Sequence, residues 1–151
     1  MKYSHFLGID PGATGGIAVV SHHPHIIPVA HKMPETERDL FDLLIDIKGD
    51  GNPLIACVEL VHSMPGQGVS SSFKFGQNFG AIRMAVIAAK IPHEFITPQK
   101  WQKAIGCMTG GDKNVSKAKA QQLFPDNRIT HAVADALLIA EYCRRTHGQT
   151  A

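Results

Sequence analysis

The chain has 151 residues, a hydrophobic fraction of 44%, a charged fraction of 19% and a formal net charge of +2, values that describe one ordinary soluble domain and exclude a disordered or fibrous chain. No apolar run reaches the length that crosses a membrane, and Met1-Lys2-Tyr3-Ser4-His5 leads directly into a strand without the shape of a signal peptide, so no membrane partner and a cytoplasmic location are expected. Cys57, Cys107 and Cys143 are odd in number and none lies in a CxxC pair; they read as small buried hydrophobes in a reducing compartment and argue against a disulfide framework or a cysteine zinc site.

Residues 4–9 read as a first, buried strand, with Asp10 at its end before the glycine-rich turn Pro11-Gly12-Ala13-Thr14-Gly15-Gly16. Residues 15–20 form a second strand and Ile26–His31 a third, joined by short turns that imply an antiparallel meander. Pro28 marks an edge or an irregularity in the third. Thr36 is an N-cap, with Glu37 and Asp39 in the first turn of a helix that Leu40, Leu43, Leu44 and Ile47 define and Gly49-Asp50-Gly51 stops. Pro53–Glu59 is a continuous apolar strand that ends in an acid. A Gly/Ser-rich loop over 61–72 leads to a helix over 73–90, then a strand over 91–97. Pro98 opens a short helix around Trp101, which is expected in the core. A polar loop over 106–114 precedes helices over 116–124 and 132–145. The alternation is that of a mixed α/β fold.

Charge is unevenly divided along this order. Residues 1–82 carry five Lys/Arg against eight Asp/Glu, and residues 83–151 carry ten against five. Such a division suits a protein that holds metal with one part and a polyanion with the other, although ordinary surface scatter gives the same sums.

Three acids stand where a solvated face is not expected. Asp10 and Glu59 end buried strands, and Asp135 lies in the apolar helix His131–Ala140 with His131 one turn before it. A buried carboxylate without compensation costs several kcal/mol or takes up a proton. Three of them are best explained by a shared partner, and oxygen ligands favour Mg²⁺. Two such ions about 3.5–4 Å apart would clamp the attacking and leaving oxygens of a phosphodiester.

The stretches GIDPGATGGIA at 8–18, CVELVHSMPGQGVSSSFKFGQNFG at 57–80, ITPQKWQKAIG at 96–106, the lysine-rich 113–119 and ADALLIAEY at 134–142 together resemble the RuvC-like Holliday junction resolvases, phage-type members above all. The resemblance covers nearly the whole chain. It implies a single RNase H-like nuclease domain over 1–151, with a mixed five-stranded sheet flanked by helices. It further implies a metal-dependent endonuclease that acts as a homodimer on four-way DNA junctions, leaves 5′-phosphate and 3′-hydroxyl ends, and works in a bacterial or phage-infected cytoplasm.

Carried over by position, the resemblance makes Asp10 and Glu59 the first two metal-binding acids and Asp135 the last. The family usually has another acid three residues before the last, where this chain has Ala132. His131 is the substitute at hand, as metal ligand, proton-transfer group or phosphate contact, and its imidazole suits Mn²⁺ better than Mg²⁺.

For DNA, the resemblance points to the loop Gln67, Ser70, Ser71 and Ser72 and to the aromatics Phe73 and Phe75 beyond it, of which at most one faces DNA and stacks on a base. The plainer roles are N-capping for the serines and core packing for the rings. Lys113 and Lys117 are placed to neutralise the scissile phosphate, and Lys100, Lys103 and Lys119 to contact the backbone. Gly76 and Gly80 line a small-residue stripe that the resemblance assigns to a two-fold interface. The competing readings are a junction-binding protein without catalysis, a nuclease for other branched DNA or RNA, and an ATP-binding unit of the actin and sugar-kinase type, which normally needs two domains.

Overall fold

The computed structural model describes residues 2–149. Its elements are β1 (His5–Asp10), β2 (Gly16–Ser21), β3 (Val29–Lys32), α1 (Glu37–Lys48), β4 (Leu54–Glu59), α2 (Val69–Ala88), β5 (His93–Ile96), α3 (Pro98–Ile105), α4 (Lys113–Leu123) and α5 (His131–His147). The five strands form one sheet in the order β3-β2-β1-β4-β5. β1, β2 and β3 pair antiparallel as a meander, whereas β4 and β5 add in parallel on the other side of β1.

Side-chain alternation along the strands separates two cores. Phe6, Ile55 and Cys57 point to one face, where α5 crosses the sheet with Trp101 and Ala120 beside it. Leu7, Ile9, Ala56 and Val58 point to the other face, against Leu40 and Leu44 of α1 and Ile82 and Val86 of α2. By the two-residue period of a strand, Gly8 and Asp10 share the Phe6 face, and Glu59 shares the Cys57 face. Both acids therefore project toward α5.

Two glycines set the distance of that helix. A Cβ on Gly8 would strike the Ala136 carbonyl and the Ala140 backbone, and one on Gly16 would strike the Ala132 carbonyl. Their absence of side chain lets the first turns of α5 lie directly on β1 and β2, as expected for Gly where one backbone approaches another.

Several boundaries differ from the sequence reading for physical reasons. β3 begins at Val29, since Pro28 has no N–H for the ladder and His25–Pro28 is irregular. α2 begins at Val69, behind Gly68, which supplies no side-chain cap. Ser70, Ser71 and Ser72 are therefore in the first helical turn, neither in a loop nor at the N-cap. Lys113 is helical as well, because Asp112 caps α4 by accepting from the Asn114 N–H at 2.9 Å. The Thr36 cap on Asp39 N and the Gly49 stop, at φ 54°, are as expected.

Candidate active site

Asp10 leaves the C-terminal end of β1, Glu59 the C-terminal end of the parallel neighbour β4, and Asp135 the second turn of α5. The three carboxyls project to one face of the sheet, near enough for their charges to act on one another, although their oxygens do not all lie within 4.8 Å of one another. Burial raises the Asp10 carboxyl well above its ordinary value, and the charges of Glu59 and Asp135 raise it further, while Lys113 works the other way. Burial likewise pushes Glu59 up to about 7, with Asp135 adding to the rise. Asp135 is raised by burial, against a hydrogen bond from Ser116 and the charges of Lys113 and His131.

One hydrogen bond holds an acid in place: the Trp101 indole N–H donates to Glu59 Oε2 at 2.7 Å. The Ser116 side chain stands beside Asp135 and works against the rise of its carboxyl. Trp101 lies in the core as expected, fully buried, but it also has this second task. A buried Trp N–H requires an acceptor, and that rule is the signal that could have found it. Ser116 is buried one turn before buried Ala120, on the inner face of α4; its spacing is the only hint the sequence offers. The turn after Asp10 is fixed separately. Gly12, at φ 108°, donates its N–H to Asn78 Oδ1 at 2.7 Å, and the Phe75 ring occupies the space a Gly12 side chain would need.

The donor set suits a hard dication. Three half-buried carboxyls oppose one another's ionisation, and Lys113 is the one lysine whose charge acts on Asp10 and Asp135. Oxygen donors with a shortage of positive charge are the chemistry of Mg²⁺ or Mn²⁺ sites. His131 is exposed at the first residue of α5, where its charge reaches Asp135.

The remaining candidates are more spread. Gln67 accepts from the Met64 N–H and donates to Ser71 Oγ at 3.2 Å. With Ser70 and Phe75, both line a groove of about 920 Å³ that reaches Pro11 and Gly12 beside Asp10. Ser72 and Phe73 face a second groove with Val61 and His62. Phe73 is 67% exposed, whereas Phe75 is half-buried against the Gly12 turn. Lys100 and Lys103 are exposed on α3, and Lys117 and Lys119 are half-buried on α4. No described helix is long and apolar enough to cross a membrane.

No protein-family model matches the chain, and no curated protein matches it. Solved structures do. RuvC of Thermus thermophilus superposes with a TM-score of 0.66 at 19% identity, over 95% of this chain and 96% of that one. The T. thermophilus RuvC in complex with a Holliday junction substrate gives 0.64 at 20%, over 96% and 97%. The yeast mitochondrial Holliday junction resolvase Ydc2 gives 0.51 at 14%, over 96% and 82%. At these identities the likeness is one of architecture, and it extends through every element from β1 to α5. The chain has the fold of the RuvC-like Holliday junction resolvases, a mixed five-stranded sheet with helices in the RNase H-like manner.

Proposed function

We propose that the chain is a divalent-metal-dependent endodeoxyribonuclease, a single RNase H-like nuclease domain that resolves four-way DNA junctions as a homodimer by paired nicks. The observation that carries this reading is the convergence of Asp10, Glu59 and Asp135 from β1, β4 and α5, with Lys113 beside them, in a chain whose architecture matches a resolvase solved with its junction.

In this reading Asp10, Glu59 and Asp135 hold Mg²⁺, two ions per site, with Mn²⁺ as the substitute. When bound, the dications supply a water activated for in-line attack and positive charge at the leaving oxygen. Trp101 holds Glu59 at a fixed orientation, and Ser116 stands beside Asp135. His131, exposed at the mouth, binds metal or exchanges protons with solvent. Lys113, with Lys117 one turn along α4, opposes charge that develops on the scissile phosphate. Lys100, Lys103 and Lys119 contact phosphates, which position the DNA without reading its sequence. Phe73, the exposed aromatic, stacks at the unpaired junction centre, and Gln67 with Ser70, Ser71 and Ser72 follows the backbone into the groove; Phe75 is the packing residue of the pair. The homodimer is supported by the outward stripe of α2 beyond Phe73, where Met84 and Ile87 are 61% and 56% exposed.

The test is cleavage mapping on both strands of a four-way junction, with duplex and single-stranded DNA as controls, in Mg²⁺ or Mn²⁺. Symmetric metal-dependent nicks in the junction, lost in Asp10→Asn with binding retained, are the expected result. Binding without nicks would leave a junction-binding protein, and near wild-type cutting by Asp10→Asn would end the mechanism. Intact cleavage by His131→Ala with both metals would remove His131 from the catalytic set.

A further inference from the structure

On the same sheet face, about 7 Å further down β4 by the rise of a strand, lies a second cluster that the nuclease reading does not use. Cys57 and Glu94 are register partners on the parallel strands β4 and β5. Cys143 and His147 are four apart on α5, so they share one face of its last turns. The Cys57 and Cys143 sulfurs and a His147 ring nitrogen all lie within 4.8 Å of one another, the one such group of ligand atoms among the described residues. Glu94 Oε1 lies at the edge of this group, 3.3 Å from Cys57 Sγ and 3.1 Å from His147 Nε2, but outside the set of mutually close donor atoms.

We propose that Cys57, Cys143 and His147, with the adjacent Glu94 carboxylate turned in as the fourth ligand, form a tetrahedral Zn²⁺ site that fastens the C-terminal end of α5 to β4 and β5. Bonds of 2.0–2.3 Å from zinc to N, O and S give tetrahedral edges of about 3.3–3.8 Å, and both measured donor separations fall at or just under that range. Two sulfurs, one imidazole and one carboxylate are zinc donors, and they are too soft a set for Mg²⁺. Four donors close the coordination shell, so the site is structural. Cys57 and Cys143 are buried, while His147 and Glu94 are part-exposed and give the ion a route from solvent. The sequence reading set the cysteines aside because none lies in a CxxC pair. Here the donors are gathered by strand register and helix spacing, which no local motif encodes.

Binding converts both thiols to thiolates and releases their two protons to the buffer, together with any proton on His147 Nε2; no electrons move. The loaded site carries one net negative charge, and Lys100 acts on Glu94 from α3. The consequence is mechanical. α5 presents Asp135 at its other end, so an anchored C-terminal end fixes the helix that carries the last acid.

The experiment uses the full chain, reduced and stripped of metal, titrated with Co²⁺ and then Zn²⁺. A thiolate-to-cobalt charge-transfer band that saturates at one ion per chain and is displaced by Zn²⁺ is expected. The band is specific to cysteine ligands, so the Asp10→Asn protein should show it unchanged, which separates this site from the nuclease centre. His147→Ala, at a part-exposed helix end that leaves the core intact, should weaken cobalt affinity about tenfold or more, and Cys143→Ser, which leaves one thiolate, should cut the band by about half or more. Zn²⁺ should raise the melting temperature of Asp10→Asn and not of Cys143→Ser. A missing band, a band indifferent to both His147→Ala and Cys143→Ser, or a Cys57–Cys143 disulfide as the persistent state under reducing conditions would each overturn the proposal.

Discussion

The indole N–H of Trp101 donates to Glu59 Oε2 at 2.7 Å across 42 residues of chain. One fully buried ring thus joins the core under α3 to the acid at the end of β4, and it holds that carboxyl lower than burial alone would leave it. Trp101→Phe keeps most of the packing and removes the donor. A buried acceptor left without a partner costs about 1–3 kcal/mol, so the variant should lose about that much stability. Its pH–rate profile for junction cleavage should also move to higher pH, since Glu59 binds its proton more tightly. A profile that stays in place would show that the bond orients nothing at the metal.

The raised carboxyls make a second prediction, for the metal-free protein. Groups with folded values above the ordinary ones bind protons more tightly when folded. Their stabilising contribution is complete below the ordinary values and is lost as pH rises through the folded ones, which for Glu59 means from 4.5 to about 7, with Asp10 and Asp135 shifted in the same direction. Melting temperature without metal should therefore fall between pH 5.5 and pH 8, by a Glu59 contribution on the order of 2 kcal/mol after allowance for its partial exposure. Excess Mg²⁺ should remove most of the fall, and Glu59→Gln should flatten it. Glu94 and Glu141 have the opposite sign: burial raises both, but hydrogen bonds from His147 and Cys57, and from Arg144 and Arg145, outweigh it and lower them. Their contribution is lost only in more acidic solution. A melting temperature that rises from pH 5.5 to pH 8 without metal would contradict the assignment of buried, mutually opposed acids.

The three acids were legible because each sits at a position that local pattern defines, a strand end or an apolar helix. The face toward α5 follows from alternation along β1 and β4, and the glycines of the approach, Gly8 and Gly16, stand in the same GIDPGATGGIA stretch, although there Gly8 reads only as a strand residue and Gly16 only as part of the turn. What the sequence hid depends on contacts between distant segments. Trp101 meets Glu59, Ser116 meets Asp135 and Cys57 meets Cys143 only once α5 is docked. The serines at 70–72 read as a loop because α2 starts behind Gly68 with no capping side chain to announce it. Lys113 read as part of the polar loop over 106–114, yet Asp112 already caps its helix.

Phe73 and Phe75 are two residues apart on α2 and should respond differently to alanine. Phe73 is mostly exposed, so Phe73→Ala should change stability by no more than about 0.5 kcal/mol while junction affinity drops by about 1–3 kcal/mol for one lost stacking contact. Phe75 fills the space over Gly12, and Phe75→Ala should destabilise the fold by about 1–3 kcal/mol. Chemical denaturation beside junction titration separates the two. If Phe75→Ala lost junction affinity at unchanged stability, the assignments would be exchanged.

The outer stripe of α2 gives the last prediction. A Cβ on Gly76 or Gly80 meets nothing within 4 Å in the protomer, so neither glycine serves the fold of one chain, and each weakens its helix by about 0.5–1 kcal/mol relative to Ala. Met84 and Ile87 lie exposed along the same helix. Glycines that cost helix stability beside uncovered apolar side chains make sense where a second helix closes over them. Ile87→Glu should therefore yield a folded monomer by sedimentation with the acid site intact. Gly80→Leu should do the same by filling the space of close approach. Such monomers should still bind metal but nick one strand at a time, uncoupling the paired cuts. If the wild type sediments as a monomer at micromolar concentration, or if Ile87→Glu leaves the dimer whole, the interface lies elsewhere on the molecule.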